Sequence, residues 1–177
     1  MSEKIILDAQ QLQLTLRRLA HQLFEQHPHF ENTILLGIQP RGVFFAERLV
    51  RIINDEFLGE KVAFGLLDIS FYRDDVHREA NIKSYKTQID ISLENKNVVL
   101  VDDVLYTGRT VRSAIDALLD YGRPNKVELC VLIDRKFSRH LPVQADYVGK
   151  AIDSSIAQKV KVKWKEQDEV DEIVLIN

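Results

Sequence analysis

The chain has 177 residues, 45% of them hydrophobic and 29% charged, which is typical of one globular domain covering residues 1–177. Its net charge of −3 argues against indiscriminate nucleic-acid binding, and its apolar runs fall short of the roughly 20 residues of a membrane helix. No basic stretch followed by an apolar one opens the sequence, so we expect a cytoplasmic protein with no membrane contact. The single Cys130 lies in an apolar run and is predicted to be buried.

An amphipathic helix is predicted over residues 8–27. Asp8 suits the N-cap and Pro28 marks the end, and leucines recur at helical spacing between them, at Leu12, Leu16, Leu19 and Leu23. Residues 34–38 then form a continuous apolar run, the pattern of a strand in a parallel sheet that is covered on both faces.

The segment 39–42 joins that strand to a helix predicted over residues 43–57. It contains Arg41, whose planar guanidinium can bind two oxygens of one anion, and Gly42, next to the unpaired N–H groups of the helix start. We therefore predict an anion site here, with a surface ion pair as the alternative role of Arg41.

A third segment, 61–71, is predicted to contain a strand and leads into residues 73–88, which are rich in charge and poor in apolar side chains. We interpret 73–88 as a long loop and a candidate lid. The alternative is a surface insertion without a role at the site.

The most informative stretch is residues 98–111, VVLVDDVLYTGRTV. It predicts a buried strand, a small-residue turn and a helix whose N–H groups, with the Thr107 and Thr110 hydroxyls, can bind phosphate. Asp102 and Asp103 can accept hydrogen bonds from sugar hydroxyls or hold Mg²⁺ through water. Together they fit a ribose 5-phosphate, and the alternative is an ordinary turn capped by threonine and aspartate.

The helix after this turn is predicted to end at residue 121, with Gly122 as C-cap, and a strand over 127–133 leads into Asp134 and Arg135. Alternating strands and helices indicate a parallel sheet, whose ligands bind at the carboxyl ends of the strands. Arg41, the 73–88 loop, residues 102–110 and Arg135 should therefore converge. Three later segments, 145–152, 159–164 and 172–176, are predicted to form a small cap of short strands.

VDDVLYTGRTV resembles the phosphoribosyl pyrophosphate signature of the type I phosphoribosyltransferases. Its residues are most similar to those of the branch that attenuates pyrimidine operons and has uracil phosphoribosyltransferase activity. GIQPRGVFFAERL, DISFYRDD, YGRPNKVELCVLIDR and ADYVGKAI also resemble segments of that branch, so the resemblance spans nearly the whole chain. It implies an α/β fold with a central, mainly parallel sheet flanked by helices and a small C-terminal hood.

The resemblance also implies roles for individual residues. Uracil and phosphoribosyl pyrophosphate would react to UMP and pyrophosphate with Mg²⁺, and Arg41, Asp102 and Asp103 would be catalytic. Arg73 could reach the pyrophosphate, and Tyr106, where purine enzymes carry an aspartate, argues against a purine substrate. The full predicted substrate site is Pro40, Arg41, Gly42, Asp102, Asp103, Val104, Leu105, Tyr106, Thr107, Gly108, Arg109, Thr110, Arg135 at the uracil end and Val160, whose strand would offer backbone groups to the base.

A second function is implied as well, in which UMP or UTP promotes binding to a stem-loop of pyrimidine-operon mRNA. The candidate RNA-binding residues are Arg17, Arg18, His21, Arg139 and Lys150. The chain departs from the branch at three places: DRKFSRHLP is one residue longer than DRGHRELP, Arg17 replaces a threonine, and AIDSS replaces NIPTS. The lysines Lys159, Lys161 and Lys163 form one strand face, which either contacts RNA or protects a sheet edge.

Three hypotheses follow. The chain is an enzyme that makes UMP, a nucleotide-sensing RNA-binding regulator without catalysis, or a phosphoribosyltransferase for another base. The first two are compatible, and the resemblance implies a dimer or higher homo-oligomer.

Overall fold

A parallel β-sheet forms the centre of the computed structural model, which describes residues 3–28, 30–58, 62–74 and 84–177. The strands are β1 (Glu3–Leu7), β2 (Thr33–Ile38), β3 (Ala63–Leu67), β4 (Asn97–Leu105), β5 (Lys126–Lys136), β6 (Tyr147–Asp153), β7 (Lys159–Lys163) and β8 (Glu172–Ile176). The helices are α1 (Ala9–Gln26), α2 (Gly42–Ile53), α3 (Arg109–Leu118) and the one-turn α4 (Lys165–Asp168).

The five strands of the central sheet follow the order β3-β2-β4-β5-β6, and all neighbours are parallel. The chain leaves β2 toward β3 on one side, whereas β4 and the later strands lie on the other. The carboxyl ends of β2 and β4 therefore flank a topological switch point, where open α/β sheets bind ligands. The loops that begin there at residues 39 and 106 carry the two predicted anion sites.

Alternating side chains on the strands divide the core into two layers. On β4, Val99 and Val101 pack with α1 and α2, whereas Val98 and Leu100 pack with α3. Cys130 is fully buried in the first layer, and this burial raises the pKa of its thiol, so the prediction of a buried cysteine is confirmed.

Helix α1 confirms the helix predicted over 8–27. Asp8 is its N-cap in a capping box with Gln11, and the predicted leucine stripe is buried. Helix α2 ends at Ile53, earlier than predicted, and a π-helical turn at Asn54–Leu58 continues it. Helix α3 ends at Leu118 and continues as a 3₁₀ turn, Leu119–Tyr121, whose C-cap is Gly122 as predicted.

The hood is a three-stranded antiparallel sheet of order β1-β8-β7. The sequence places 145–152 in this cap, and that prediction is wrong, because β6 pairs in parallel with β5 at the edge of the central sheet. The third hood strand is β1, which the pattern of the N-terminal residues does not reveal. Hood residues Val162, Trp164 and Ile173 are buried against the α1–α2 layer.

Residues 75–83 of the predicted 73–88 loop lie outside the described residues. The returning segment is anchored on β3: Gln88 exchanges backbone hydrogen bonds of 2.8 and 2.9 Å with Leu66, and the N–H of Tyr85 donates to Asp68 at 2.8 Å. Within the described ranges, no helix has the length and apolarity needed to cross a membrane.

Candidate active site

The loop between β4 and α3 borders a cavity of about 200 Å³. Gly108 caps α3 with φ of 91°, a left-handed conformation that favours glycine, and a Cβ there would lie 3.1 Å from Val143 Cγ2. The N–H groups of the first turn of α3, which have no partner within the helix, begin beside this cavity, and that of Arg109 donates to Thr107 Oγ1 at 3.4 Å. Its lining consists of Arg73, Asp102, Val104, Leu105, Tyr106, Thr107, Gly108, Arg109, Thr110 and Val111.

Asp102 and Asp103 lie inside β4, which continues to Leu105. Neighbouring side chains of a strand point to opposite faces, so the two carboxylates have different surroundings. Asp102 lines the cavity, and its Oδ1 accepts a 2.9 Å hydrogen bond from the N–H of Asp103. Asp103 Oδ2 instead accepts a 3.3 Å hydrogen bond from Arg41 Nε.

Both carboxyl groups are costly to ionise. Burial, together with the nearby charge of Asp103, raises the pKa of Asp102 well above its ordinary value, and Arg73 partly opposes the shift. Burial also raises the pKa of Asp103, against the opposing effect of Arg41. A ligand that brings hydroxyl donors or a cation would favour the ionised forms, so this pair is suited to bind such a ligand.

Arg41 connects the loop after β2 to the hood. Besides Asp103, its guanidinium donates to the carbonyl of Val162 and to Asp168 Oδ2 at 3.5 Å. Lys161 Nζ lies 3.0 Å from the other oxygen of Asp168. These hydrogen bonds use Nε and Nη2 of Arg41, so a pyrophosphate would bind through Nη1 or by replacing part of this network, and that role stays a prediction.

Close packing requires glycine at position 42, a requirement that the sequence does not show. A Cβ at this position would lie 2.4 Å from the carbonyl oxygen of Val101, so only glycine lets the first turn of α2 approach β4 this closely. The exposed Pro40 precedes it, in a cis peptide bond with Gln39. The segment 39–42 thereby lies beside the carboxylates of β4.

Arg135 is buried and lies against Tyr106, with its guanidinium carbon 3.9 Å from the ring centroid. Its N–H groups donate to Ser154 Oγ at 2.8 Å and to the carbonyls of Ser155 and Gln158, both at 2.9 Å. Arg135 thus holds the 154–158 loop against the ring. Val160, the remaining predicted substrate residue, is buried in hood strand β7.

Four of the five candidate RNA-binding residues belong to α1 and β6. Arg17 pairs with Glu56 at 2.7 Å, the His21 ring packs edge-on against Phe57, Arg18 donates to the carbonyls of Val148 and Gly149, and Lys150 donates to the carbonyl of Ile6 at 3.2 Å. These contacts leave Arg17 and Lys150 exposed. Arg139 is different, because its guanidinium binds backbone carbonyls behind the 105–107 loop.

The described residues contain no cluster of three or more histidine, cysteine, aspartate or glutamate side chains that could hold a metal ion. Mg²⁺ takes about six oxygen ligands and usually retains water or substrate oxygens. Asp102 and Asp103 fit such an ion as a minority of its ligands, directly or through water, with the substrate supplying others.

Two site residues are invisible to sequence reasoning. Asp168 holds Arg41, and Ser154 holds Arg135, yet both occur in short polar segments that look like ordinary surface. Asp168 lies in no motif, and Ser154 directly follows β6 in the AIDSS segment, where neither the residue type nor its position indicates a contact with an arginine. Only the folding of the hood over the sheet brings them to the arginines.

Known proteins that are similar to this chain indicate its family. The family model of the phosphoribosyl transferase domain matches residues 2–167. The chain is 46% identical to a "Bifunctional protein PyrR" of Actinobacillus pleuropneumoniae serotype 5b (strain L20) over 177 residues, covering 98% of this chain and 97% of the relative. It is also 46% identical over 176 residues to the protein of that name from Chloroflexus aurantiacus, with coverages of 99% and 96%.

Solved structures show the same fold at low identity. A hypoxanthine phosphoribosyltransferase from Staphylococcus aureus superposes with a TM-score of 0.74 at 24% identity, covering 98% of this chain and 92% of that one. A hypoxanthine-guanine phosphoribosyltransferase from Bacillus anthracis gives 0.75 at 21% identity, covering 98% of each chain. With the family match over most of its length and relatives near 46% identity, the chain belongs to the PyrR family of phosphoribosyl transferase domain proteins.

Proposed function

We propose that the chain transfers the phosphoribosyl group of phosphoribosyl pyrophosphate to uracil, forming UMP and pyrophosphate, and that uridine nucleotides in the same site promote binding to a stem-loop of pyrimidine-operon mRNA. The observation that carries the enzymatic part is the cavity at the end of β4. It brings a helix N-terminus, two threonine hydroxyls and the Asp102 carboxylate to one place. A phosphate and an adjacent sugar require these groups.

In the proposed complex, the 5-phosphate lies against residues 106–110 and the ribose hydroxyls donate to Asp102 and Asp103. Transfer proceeds through a positively charged, oxocarbenium-like sugar, so fixed negative charge beside the ribose stabilises the transition state. Arg41 leaves its partners in the hood and binds the departing pyrophosphate, on which negative charge develops. Mg²⁺, when bound, neutralises part of the pyrophosphate charge, and Asp102 and Asp103 are the residues that would hold it.

Base choice is proposed to depend on Tyr106. Purine phosphoribosyltransferases carry at this position an aspartate that handles a purine proton, whereas this chain has a tyrosine stacked on Arg135 and therefore no carboxylate for that role. The hypoxanthine enzymes of known structure share the fold only, since their identity to this chain is below 25%. Uracil is therefore the proposed base, with the backbone around Val160 as its hydrogen-bonding partner.

The regulatory part is supported by the exposed basic side chains of α1 and β6. His21 matches a position that the resemblance connects with RNA, Arg17 replaces the threonine four residues before it, and Lys150 follows a glycine that the branch shares. Arg17 and Lys150 are free to exchange weak surface contacts for phosphates. The same resemblance supports a homo-oligomer that acts in the cytoplasm.

A turnover assay with purified protein, phosphoribosyl pyrophosphate and Mg²⁺ tests the enzymatic part, with uracil, hypoxanthine, guanine and orotate offered separately. Of the four bases, only uracil is expected to give release of pyrophosphate at a substantial rate. A gel shift on the mRNA leader with and without UMP tests the regulatory part. Binding of RNA without UMP formation would support the sensor hypothesis, and turnover of another base would replace uracil in the proposal.

A further inference from the structure

The segment after β5 contacts the back of the loop that follows β4. Arg139 Nη1 donates to the carbonyl of Tyr106 at 2.6 Å and lies 3.4 Å from that of Leu105. The backbone N–H groups of His140 and Leu141 both donate to the carbonyl of Thr107, at 2.9 and 3.1 Å. Residues 139–141 thus bind three consecutive carbonyls of the loop, 105 to 107.

The hydrogen bonds to these carbonyls also determine the direction of the N–H group in each of the three peptide units. In a trans peptide the C=O and the following N–H lie in one plane and point in opposite directions. Carbonyls 105, 106 and 107 turned toward residues 139–141 therefore turn the N–H groups of 106, 107 and 108 away from them. Tyr106, Thr107 and Gly108 line the cavity, and consecutive N–H groups of this kind form a concave anion site.

Arg139 is held in place by further partners on its own segment. Its Nε donates to the carbonyl of Val143 at 3.1 Å, Nη1 also donates to that of Arg135 at 3.0 Å, and Nη2 pairs with Asp134. These contacts use the donor on Nε, those on Nη1 and one on Nη2. Because Asp134 compensates the charge, the effect of Arg139 on the cavity is orientation of the loop and not a net positive field.

We propose that Arg139 is a positioning residue for the phosphate group, acting through the carbonyls of residues 105–107, and not a residue that contacts RNA. The proposal deepens the proposed function, since it rests on a phosphate in the cavity of residues 104–111. Arg139 lies in DRKFSRHLP, the segment that is one residue longer here than in the resembling branch.

The test compares Arg139→Gln and Arg139→Lys with Arg112→Gln, which removes an exposed arginine of α3 that pairs with Asp116 at 3.2 Å. Titration calorimetry measures the affinity for ribose 5-phosphate and UMP, with uridine as the ligand that lacks the phosphate. Steady-state assays separate KM for phosphoribosyl pyrophosphate from kcat, a gel shift measures RNA affinity, and thermal melting reports stability.

Arg139→Gln is expected to weaken ribose 5-phosphate and UMP about tenfold and to raise KM for phosphoribosyl pyrophosphate by a similar factor, because a charged hydrogen-bond donor is lost from the loop. Uridine affinity should change little, and kcat should fall less than KM rises. Arg139→Lys should lie between Gln and wild type, because one ammonium replaces one of the contacts. This variant also provides the comparison if Arg139→Gln does not fold.

Unchanged phosphate-ester affinity in Arg139→Gln and Arg139→Lys would overturn the proposal, whether the variants lose stability or lose RNA binding. If the wild type makes no UMP but Arg139→Gln still weakens ribose 5-phosphate, the uracil assignment fails and the positioning role stands. A wild type that does not bind ribose 5-phosphate would contradict both.

Discussion

The guanidinium of Arg135 lies over the ring of Tyr106, 3.9 Å from its centroid, and the two side chains come from different strand ends. Arg135 is the last residue but one of β5, and Tyr106 follows β4 directly. Since Arg135 also binds the 154–158 loop, the ring lies between that loop and the cavity of residues 104–111. In the proposed function, Tyr106 would therefore connect phosphate binding to base choice.

Substitutions at Tyr106 should distinguish the contribution of the aromatic ring to uracil binding from that of its hydroxyl. Tyr106→Phe keeps the cation–π contact and should leave KM for uracil within about twofold of wild type, whereas Tyr106→Ala should raise it about tenfold. Steady-state kinetics at saturating phosphoribosyl pyrophosphate measures both values. Equal KM values for the Ala variant and wild type would show that the stacked ring does not contribute to the base site.

Asp102→Asn should stabilise the fold while it removes activity. A carboxyl group whose pKa is raised in the folded state binds its proton more tightly there than in the unfolded chain. Folding stability therefore falls as the pH rises from the unfolded pKa to the folded one, and the ionised group is a cost at neutral pH. Asn removes this cost, and its Oδ1 can still accept the N–H of Asp103.

We expect the melting temperature of Asp102→Asn at pH 7 to rise by on the order of 2 °C or more, with the difference shrinking toward acidic pH. Calorimetric scans at several pH values measure this. Asp116→Asn, an exposed carboxylate of α3, is the control and should shift the melting temperature little. A lower melting temperature for Asp102→Asn at pH 7 would contradict the raised pKa.

Gly42→Ala should disturb the loop after β2. Alanine is a better helix former than glycine by roughly 1 kcal/mol, yet its Cβ would meet the Val101 carbonyl at 2.4 Å. The clash should dominate, lowering the melting temperature and raising KM for phosphoribosyl pyrophosphate. Glu47→Ala, on the exposed side of α2, should do neither. A stabilised Gly42→Ala variant with normal KM would show that α2 can shift without cost to the site.

Combining Arg17→Gln with Lys150→Gln should weaken RNA binding and leave UMP formation within about twofold. Each lost phosphate contact should also reduce the slope of log affinity against log salt by about 1. Gel shifts at several salt concentrations in the presence of UMP measure both effects, with Arg112→Gln as the control. An unchanged salt slope would show that these two side chains do not contact the RNA phosphates.

The elements that could be predicted are those whose pattern is local. The leucine stripe of α1 and the apolar run of β4 carry their own periodicity, so their type and burial follow from neighbouring residues. Strand β1 could not be predicted this way. It is largely exposed and becomes a strand by pairing with β8, with Ile5 opposite Val174 at the far end of the sequence.

The same distinction holds at the site. The residues of VDDVLYTGRTV are contiguous, and one loop brings most of them to one cavity. The contacts of Arg41 with Asp168, of Arg135 with Ser154 and of Arg139 with the Tyr106 carbonyl join segments with no common motif. Arg139 in particular looks like a surface residue, because it is a charged side chain in a polar segment. Only the course of the chain after β5 turns it toward the loop that follows β4.

The most direct test of the proposed function follows UMP and pyrophosphate together, from labelled uracil and phosphoribosyl pyrophosphate with Mg²⁺, in wild type and in Asp102→Asn. We predict equal amounts of the two products in wild type and a rate at least about a hundredfold lower in the variant, since the carboxylate beside the ribose is lost. Wild type that forms no UMP, or Asp102→Asn that forms it at the wild-type rate, would contradict the assignment of this cavity as the site of transfer.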